Sequence, residues 1–180
     1  AMIARIPIAH LHGGEASEGA IDEAIRHSIT KMSHLHFTAS DEYSKKVIQL
    51  GEQPARVWNV GATGLDNISK LKKVPKNQIE EHLGIKLKKP IFLITYHPAT
   101  LNKKNQANKL KLILSTLDKF DGTNIITGIN ADSGNKKLKK VCIEFCSRRS
   151  KNSVFFDSLG SHLYLNLMRI SDVVIGNSSS

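Results

Sequence analysis

Short apolar strands alternate with stretches of helical periodicity along almost the whole chain, and this alternation admits few folds beyond parallel strands joined by crossover helices. Residues 8–11 read as a short strand. Ile21, Ala24, Ile25, Ile29 and Met32 then recur at helical spacing and predict one apolar face turned to the core. A strand over 35–38, a helix over 41–50 capped by Ser40 and stopped at Gly51, and a strand over 56–60 follow. A first domain is expected over 1–68, a lysine-rich connection containing Val74-Pro75 over 69–76, and a second domain over 77–180. In the second, a short helix over 77–83 precedes the run Ile91-Phe92-Leu93-Ile94-Thr95-Tyr96, a fully buried strand that delivers His97 at its carboxyl end. The stripe Leu110, Ile113, Leu114, Leu117 predicts a helix. Strands over 124–127, 154–156 and 172–175 alternate with a basic helix over 136–149 and a helix over 161–170.

Composition narrows the class. The chain has 180 residues, 40% of them hydrophobic, and no apolar run approaches the roughly 18 residues of a membrane span. The opening Ala-Met-Ile-Ala-Arg-Ile-Pro lacks both a long hydrophobic region and a basic leader, so a cytoplasmic location without a membrane partner is expected. A formal charge of +10 invites a nucleic-acid reading, and lysines cluster at 70–76, 86–89, 103–111 and 136–151. Almost no aromatic residues interleave them, which argues against a base-stacking surface. Solvated faces and a general attraction for an anionic nucleotide explain these clusters, and no nucleic-acid partner is expected. Cys142 and Cys146 stand four apart in a helical pattern, where reduced thiols are expected and no familiar metal spacing surrounds them.

Chemistry concentrates at 10–27. A strand runs into a glycine turn and then a helix whose first turns carry acids, the arrangement from which parallel α/β proteins build sites. His10, His12, Glu15, Asp22, Glu23 and Arg26 fall within this one unit, close enough to perturb one another and share protons. Acids complementing a helix N-terminus would give the same pattern without catalysis.

The wording goes further. His-Leu-His-Gly-Gly-Glu at 10–15, Gly-Ala-Ile-Asp-Glu at 19–23 and Arg-His-Ser-Ile-Thr-Lys at 26–31 closely resemble the hydrolysing UDP-N-acetylglucosamine 2-epimerases of sialic-acid and related nonulosonic-acid synthesis. The resemblance continues through Ser-Asp-Glu-Tyr at 40–43, Val-Ile-Gln-Leu-Gly-Glu-Gln-Pro at 47–54, Asn-Val-Gly-Ala at 59–62, Thr-Tyr-His-Pro at 95–98, Asn-Ala-Asp at 130–132 and Gly-Asn-Ser-Ser-Ser at 176–180. It implies an α/β fold of Rossmann-like domains of glycosyltransferase-B type, here the end of the first domain and most of the second. The implied reaction removes a proton from sugar carbon 2, expels UDP to leave a glycal, and hydrates it to N-acetylmannosamine, without a metal or cofactor.

The same resemblance implies site residues. Asp22 matches a family acidic position tied to catalysis. A family glutamate often stands where His12 stands here, which leaves His12 and Glu15 as alternative holders of that role; Glu23 shares the proton work or orients Arg26. His97 matches a histidine close to nucleotide and sugar. Asn130 matches a ligand-contacting position, Asp132 shapes that turn, and Ser158 and Leu159 lie where a backbone meets uracil. Ser178 and Ser179 fall where hydroxyls bind the diphosphate, with Asn177 beside them as a further substrate-binding position. The resemblance further implies that the chain is an internal piece of a two-domain homodimeric enzyme, inactive by itself, acting on UDP-N-acetylglucosamine or a diacetamido analogue. A non-hydrolysing epimerase, a glycosyltransferase of the same fold and a non-catalytic nucleotide-sugar-binding fragment are the alternatives.

Overall fold

The computed structural model describes residues 1–16, 21–97, 105–128 and 135–176. The chain divides into two compact units, Ala1–Lys70 and Leu71–Ser180.

Unit 1 is a three-stranded parallel sheet of β1 (Ala9–Leu11), β2 (Leu35–Thr38) and β3 (Val57–Asn59), in that order. Its helices are α1 (Asp22–Met32), α2 (Asp41–Gln49) and the short α3 (Gly64–Ser69). Strand alternation sends His10, His36 and Thr38 to one face, where they are buried. Thr30 of α1 meets His10 there, and Ser44 of α2 meets Thr38 at 2.6 Å. The opposite face carries Leu11, Leu35 and Trp58, the indole stacked on Phe37 at 5.3 Å between centroids. Ser40 caps α2 by accepting a hydrogen bond from the Tyr43 amide.

One expectation is overturned here. The apolar stripe of α1 does not face a core: Ile21 and Ile25 are each 50% exposed, with Ala24, Ile29 and Met32 exposed too. The reason is the sheet face beneath the helix, whose inward positions are His10 and His36. A polar floor calls for a polar ceiling, so α1 turns Thr30 inward with Arg26 and His27 half-buried beside it.

Unit 2 reverses that chemistry. Its parallel sheet runs β6-β5-β4-β7, with β4 (Ile91–Thr95), β5 (Thr123–Thr127), β6 (Ser153–Phe156) and β7 (Val173–Gly176). Phe92, Ile94 and Ile126 feed one apolar cluster with Leu110, Leu114 and Leu117 of α5 (Gln106–Leu117) and Leu138, Cys142, Phe145 and Cys146 of α6 (Asn135–Arg148). Ile91, Leu93 and Ile125 point the other way, into Ile79 and Leu83 of α4 (Lys76–Leu83) and Leu167 of α7 (Gly160–Ile170). Both sides covered is what makes β4 a continuous apolar run. Burying a residue such as Leu93 contributes about 1.5–3 kcal/mol over leaving it in water. Within 69–76, expected as a connection, Lys72 and Val74 bond to this unit: the Val74 amide donates to Asn166 Oδ1, and Asn166 Nδ2 donates to the Lys72 carbonyl. Asp172 joins the starts of two strands, its carboxylate accepting from the Ile91 amide at 2.8 Å. No helix among the described residues is long and apolar enough to cross a membrane.

Candidate functional site

The turn after β1 is held from several directions. His12 adopts a left-handed backbone (φ 62°), which costs a non-glycine residue about 1–2 kcal/mol. Its amide donates to the Phe37 carbonyl at 2.9 Å, and both ring nitrogens are engaged. Nδ1 lies 2.7 Å from Glu15 Oε1 and Nε2 lies 3.1 Å from Thr63 Oγ1. A carboxylate only accepts, so Nδ1–H donates to Glu15 and, in the neutral ring, Nε2 accepts the Thr63 hydroxyl proton. Arg26 reaches back from α1 to donate to the Glu15 carbonyl at 2.7 Å.

The two glycines are dictated by close approach. At Gly14 (φ +82°) a Cβ would sit 2.4 Å from the Tyr43 carbonyl oxygen, and at Gly13 it would lie 3.1 Å from His10 Nδ1. The loop thus rests on α2 and on the buried imidazole of His10. That imidazole shares a hydrogen bond with Thr30 Oγ1, and its pKa is lowered by burial first, then by His36, Arg26 and His12. His36 lies beside it in strand register and bonds Glu52 at 3.2 Å, which in turn accepts from Lys31 at 2.6 Å. Burial works to raise the Glu52 pKa, but Lys31 and His36 outweigh it and hold the carboxyl low.

In unit 2 the strand order supplies the geometry. Connections leave β4 toward β5 and β6 on one side, and the chain returns to β7 on the other, so the carboxyl end of β4 is a switch point of the kind where open α/β sheets hold ligands. His97 lies there, buried. Thr95 Oγ1 bonds Thr127 Oγ1 at 2.7 Å and the Tyr164 hydroxyl at 3.1 Å, and Tyr96 donates to Gln106 Oε1 at 2.5 Å. Gly176 ends β7 beside Thr95 in register. Gly128, directly after β5, lies so near Asp157 that a Cβ would meet its carbonyl oxygen at 1.9 Å.

His12 and Glu15 are brought into direct contact, with Asp22 and Glu23 exposed on the first turn of α1. Ser158 accepts from the Gly160 amide, and Leu159, at the start of α7, packs against the unit 2 core. Asn130, Asp132, Asn177, Ser178 and Ser179 lie outside the described residues. Sequence reasoning missed Thr63, Thr95, Thr127 and Tyr164. Thr95 directly precedes the Tyr-His-Pro run, and Thr63 sits in Gly-Ala-Thr-Gly, so proximity to a glycine turn or strand end was the available signal. Among the described residues no cluster of His, Cys, Asp and Glu suited to a metal is present.

A family described as UDP-N-acetylglucosamine 2-epimerase matches residues 1–180. A Campylobacter jejuni protein named GDP/UDP-N,N'-diacetylbacillosamine 2-epimerase (hydrolyzing) is 43% identical over 99% of this chain and 47% of its own length. Polysialic acid biosynthesis protein P7 of Escherichia coli is 40% identical over 97% of this chain and 44% of its own. The chain thus spans about half the length of the curated relatives it matches. Among solved structures, the UDP-GlcNAc 2-epimerase of Neisseria meningitidis bound to UDP-GlcNAc superposes with a TM-score of 0.78 at 21% identity, covering 99% of this chain and 50% of that one. That likeness establishes the fold.

Proposed function

Because the chain belongs to the UDP-N-acetylglucosamine 2-epimerase family, we propose that it carries machinery of a hydrolysing UDP-sugar 2-epimerase, which turns a UDP-2-acetamido sugar into UDP and the free 2-epimer for nonulosonic-acid synthesis. The observation that carries this reading is the Glu15–His12 pair at 2.7 Å, on a glycine turn tied by Arg26 to α1, whose first turn carries Asp22 and Glu23. Elimination needs a base at sugar carbon 2 and stabilisation of the departing diphosphate. A base takes the carbon 2 proton as the bond from carbon 1 to the UDP oxygen breaks. Water then adds its hydroxyl to carbon 1 and a proton returns to the opposite face of carbon 2. Asp22 is the first choice for one proton-transfer group and the Glu15-oriented His12 for a second, with Glu23 in support. His97, Asn130, Asp132, Ser158, Leu159, Asn177, Ser178 and Ser179 serve nucleotide and diphosphate.

The names of the relatives support two sugars, UDP-N-acetylglucosamine and UDP-N,N'-diacetylbacillosamine. A cytoplasmic location and a homodimer belong to the same reading, which cell fractionation and sedimentation test. The deciding experiment replaces the matching half of the Campylobacter jejuni relative with this chain and follows both substrates by ³¹P NMR. Release of UDP with free 2-epimer is expected, and Asp22→Asn should reduce it at least 100-fold, in the range that general acid–base groups contribute (about 10²–10⁴-fold). A 2-epimer still attached to UDP would transfer the assignment to a non-hydrolysing enzyme. UDP binding without turnover would leave a nucleotide-sugar-binding module. The 180-residue chain by itself is expected to show weak UDP affinity and no useful turnover.

A further inference from the structure

The parallel order β1-β2-β3 places the turns after β1 and β3 at the same end of the sheet, above the end of β2. The turn after β3 is anchored there independently: the Val60 amide donates to the Thr38 carbonyl, Gly61 to Asn59 Oδ1, and Asn59 Nδ2 to Asp41 Oδ1 at 2.8 Å. This scaffold delivers Thr63, 51 residues from His12 in sequence, to 3.1 Å from its Nε2. A Cβ at Gly61 or Gly64 would meet nothing within 4 Å, and the bond from Thr63 Oγ1 is a direct link between this turn and the His12 ring.

We propose that Thr63 is a positioning residue for His12, its hydroxyl serving both protonation states of the imidazole. The inference rests on the reading of His12 as a proton-transfer group. With Nδ1–H given to Glu15, Nε2 is the ring position that gains or loses a proton. A threonine hydroxyl is one donor and two acceptors. It donates to the neutral Nε2, and after rotation about its C–O bond it accepts from Nε2–H, without movement of any heavy atom. The ring is therefore held in one plane, on a strained backbone, through a complete proton cycle. Valine has the same shape and can do neither; serine can do both.

The test is ¹⁵N NMR of the histidine rings in the 180-residue chain at pH 8, with Thr63→Val and Thr63→Ser. In the wild type, His12 is expected as the Nδ1–H tautomer, the reverse of free histidine's preference. Thr63→Val should move the Nε2 resonance to that of an acceptor without a partner and Thr63→Ser should restore it, while His10 and His36 stay unmoved as reporters of an intact sheet. An Nε2–H tautomer in the wild type, or an Nε2 resonance indifferent to Thr63→Val, overturns the proposal, and the first of these needs no variant to fold. In the chimaeric enzyme, Thr63→Val should lower kcat about tenfold with KM little changed and displace one limb of the pH profile, with Thr63→Ser near wild type. Full turnover in His12→Ala would instead overturn the reading beneath the proposal, a result distinct from an unmoved resonance.

Discussion

At the scale of single residues, the turn after β1 is fixed by what cannot be added to it. Gly14→Ala would place a methyl group 2.4 Å from the Tyr43 carbonyl in a backbone that L side chains rarely adopt (φ +82°). The variant should lose about 2–4 kcal/mol in urea unfolding, a left-handed penalty plus displacement of the turn from α2; a loss below about 0.5 kcal/mol would mean the turn does not rest there. His10 gives a second prediction. Its folded pKa lies below the ordinary 6.5, chiefly through burial, so the unfolded chain binds the proton more readily. The associated stability is present above pH 6.5 and is lost as pH falls from there to the depressed folded value. Thermal melts should show this loss in the wild type and a flatter profile in His10→Gln. Much of this turn was legible, because His-x-His-Gly-Gly-Glu at the end of an apolar strand signals a strand-to-helix turn carrying chemistry. The contact of His12 with Thr63 was not, since nothing in one sequence pairs residues that far apart until the strand order is known.

At the scale of elements, legibility depended on whether both faces of a strand are apolar. The run 91–96 announced a buried strand because its alternate residues enter two separate clusters, and Leu93→Ala should cost about 2–5 kcal/mol by transfer and cavity terms together. Helix α1 misled for the opposite reason: periodicity reveals which side of a helix is apolar, and the buried His10 and His36 decide which side faces the sheet. In α6 the pattern held, and Cys142 and Cys146 lie buried on its inner face. Burial pushes their thiols up to about 11 and about 12, with Cys142 adding to the effect on Cys146. Both should resist iodoacetamide at pH 8 in the native protein and react fully in urea; rapid labelling of the native chain would show that α6 opens readily.

At the scale of the whole molecule, the two units are stabilised by different chemistry. Unit 2 holds both apolar clusters, whereas in unit 1 Val47 is the one apolar side chain among the described residues that is fully buried. In its place stands the polar assembly of His10, Thr30, His36, Glu52 and Lys31, where a neutral hydrogen bond contributes only about 0.5–1.5 kcal/mol net and one to a charged group about 1.5–3 kcal/mol, less where water reaches it. Unit 1 should therefore unfold first. The chain's single tryptophan, Trp58, lies in β3, so its fluorescence follows unit 1 while far-ultraviolet circular dichroism follows both units. In urea the fluorescence midpoint should precede the dichroism midpoint, with a second dichroism phase belonging to unit 2. The separation should widen below pH 6.5, where His10 withdraws its contribution, and again below 4.5, where Glu52 is protonated in the unfolded chain before the folded one. Coincident transitions at both pH values would mean that the units unfold as one and that the polar assembly of unit 1 is as strong as the apolar cores of unit 2.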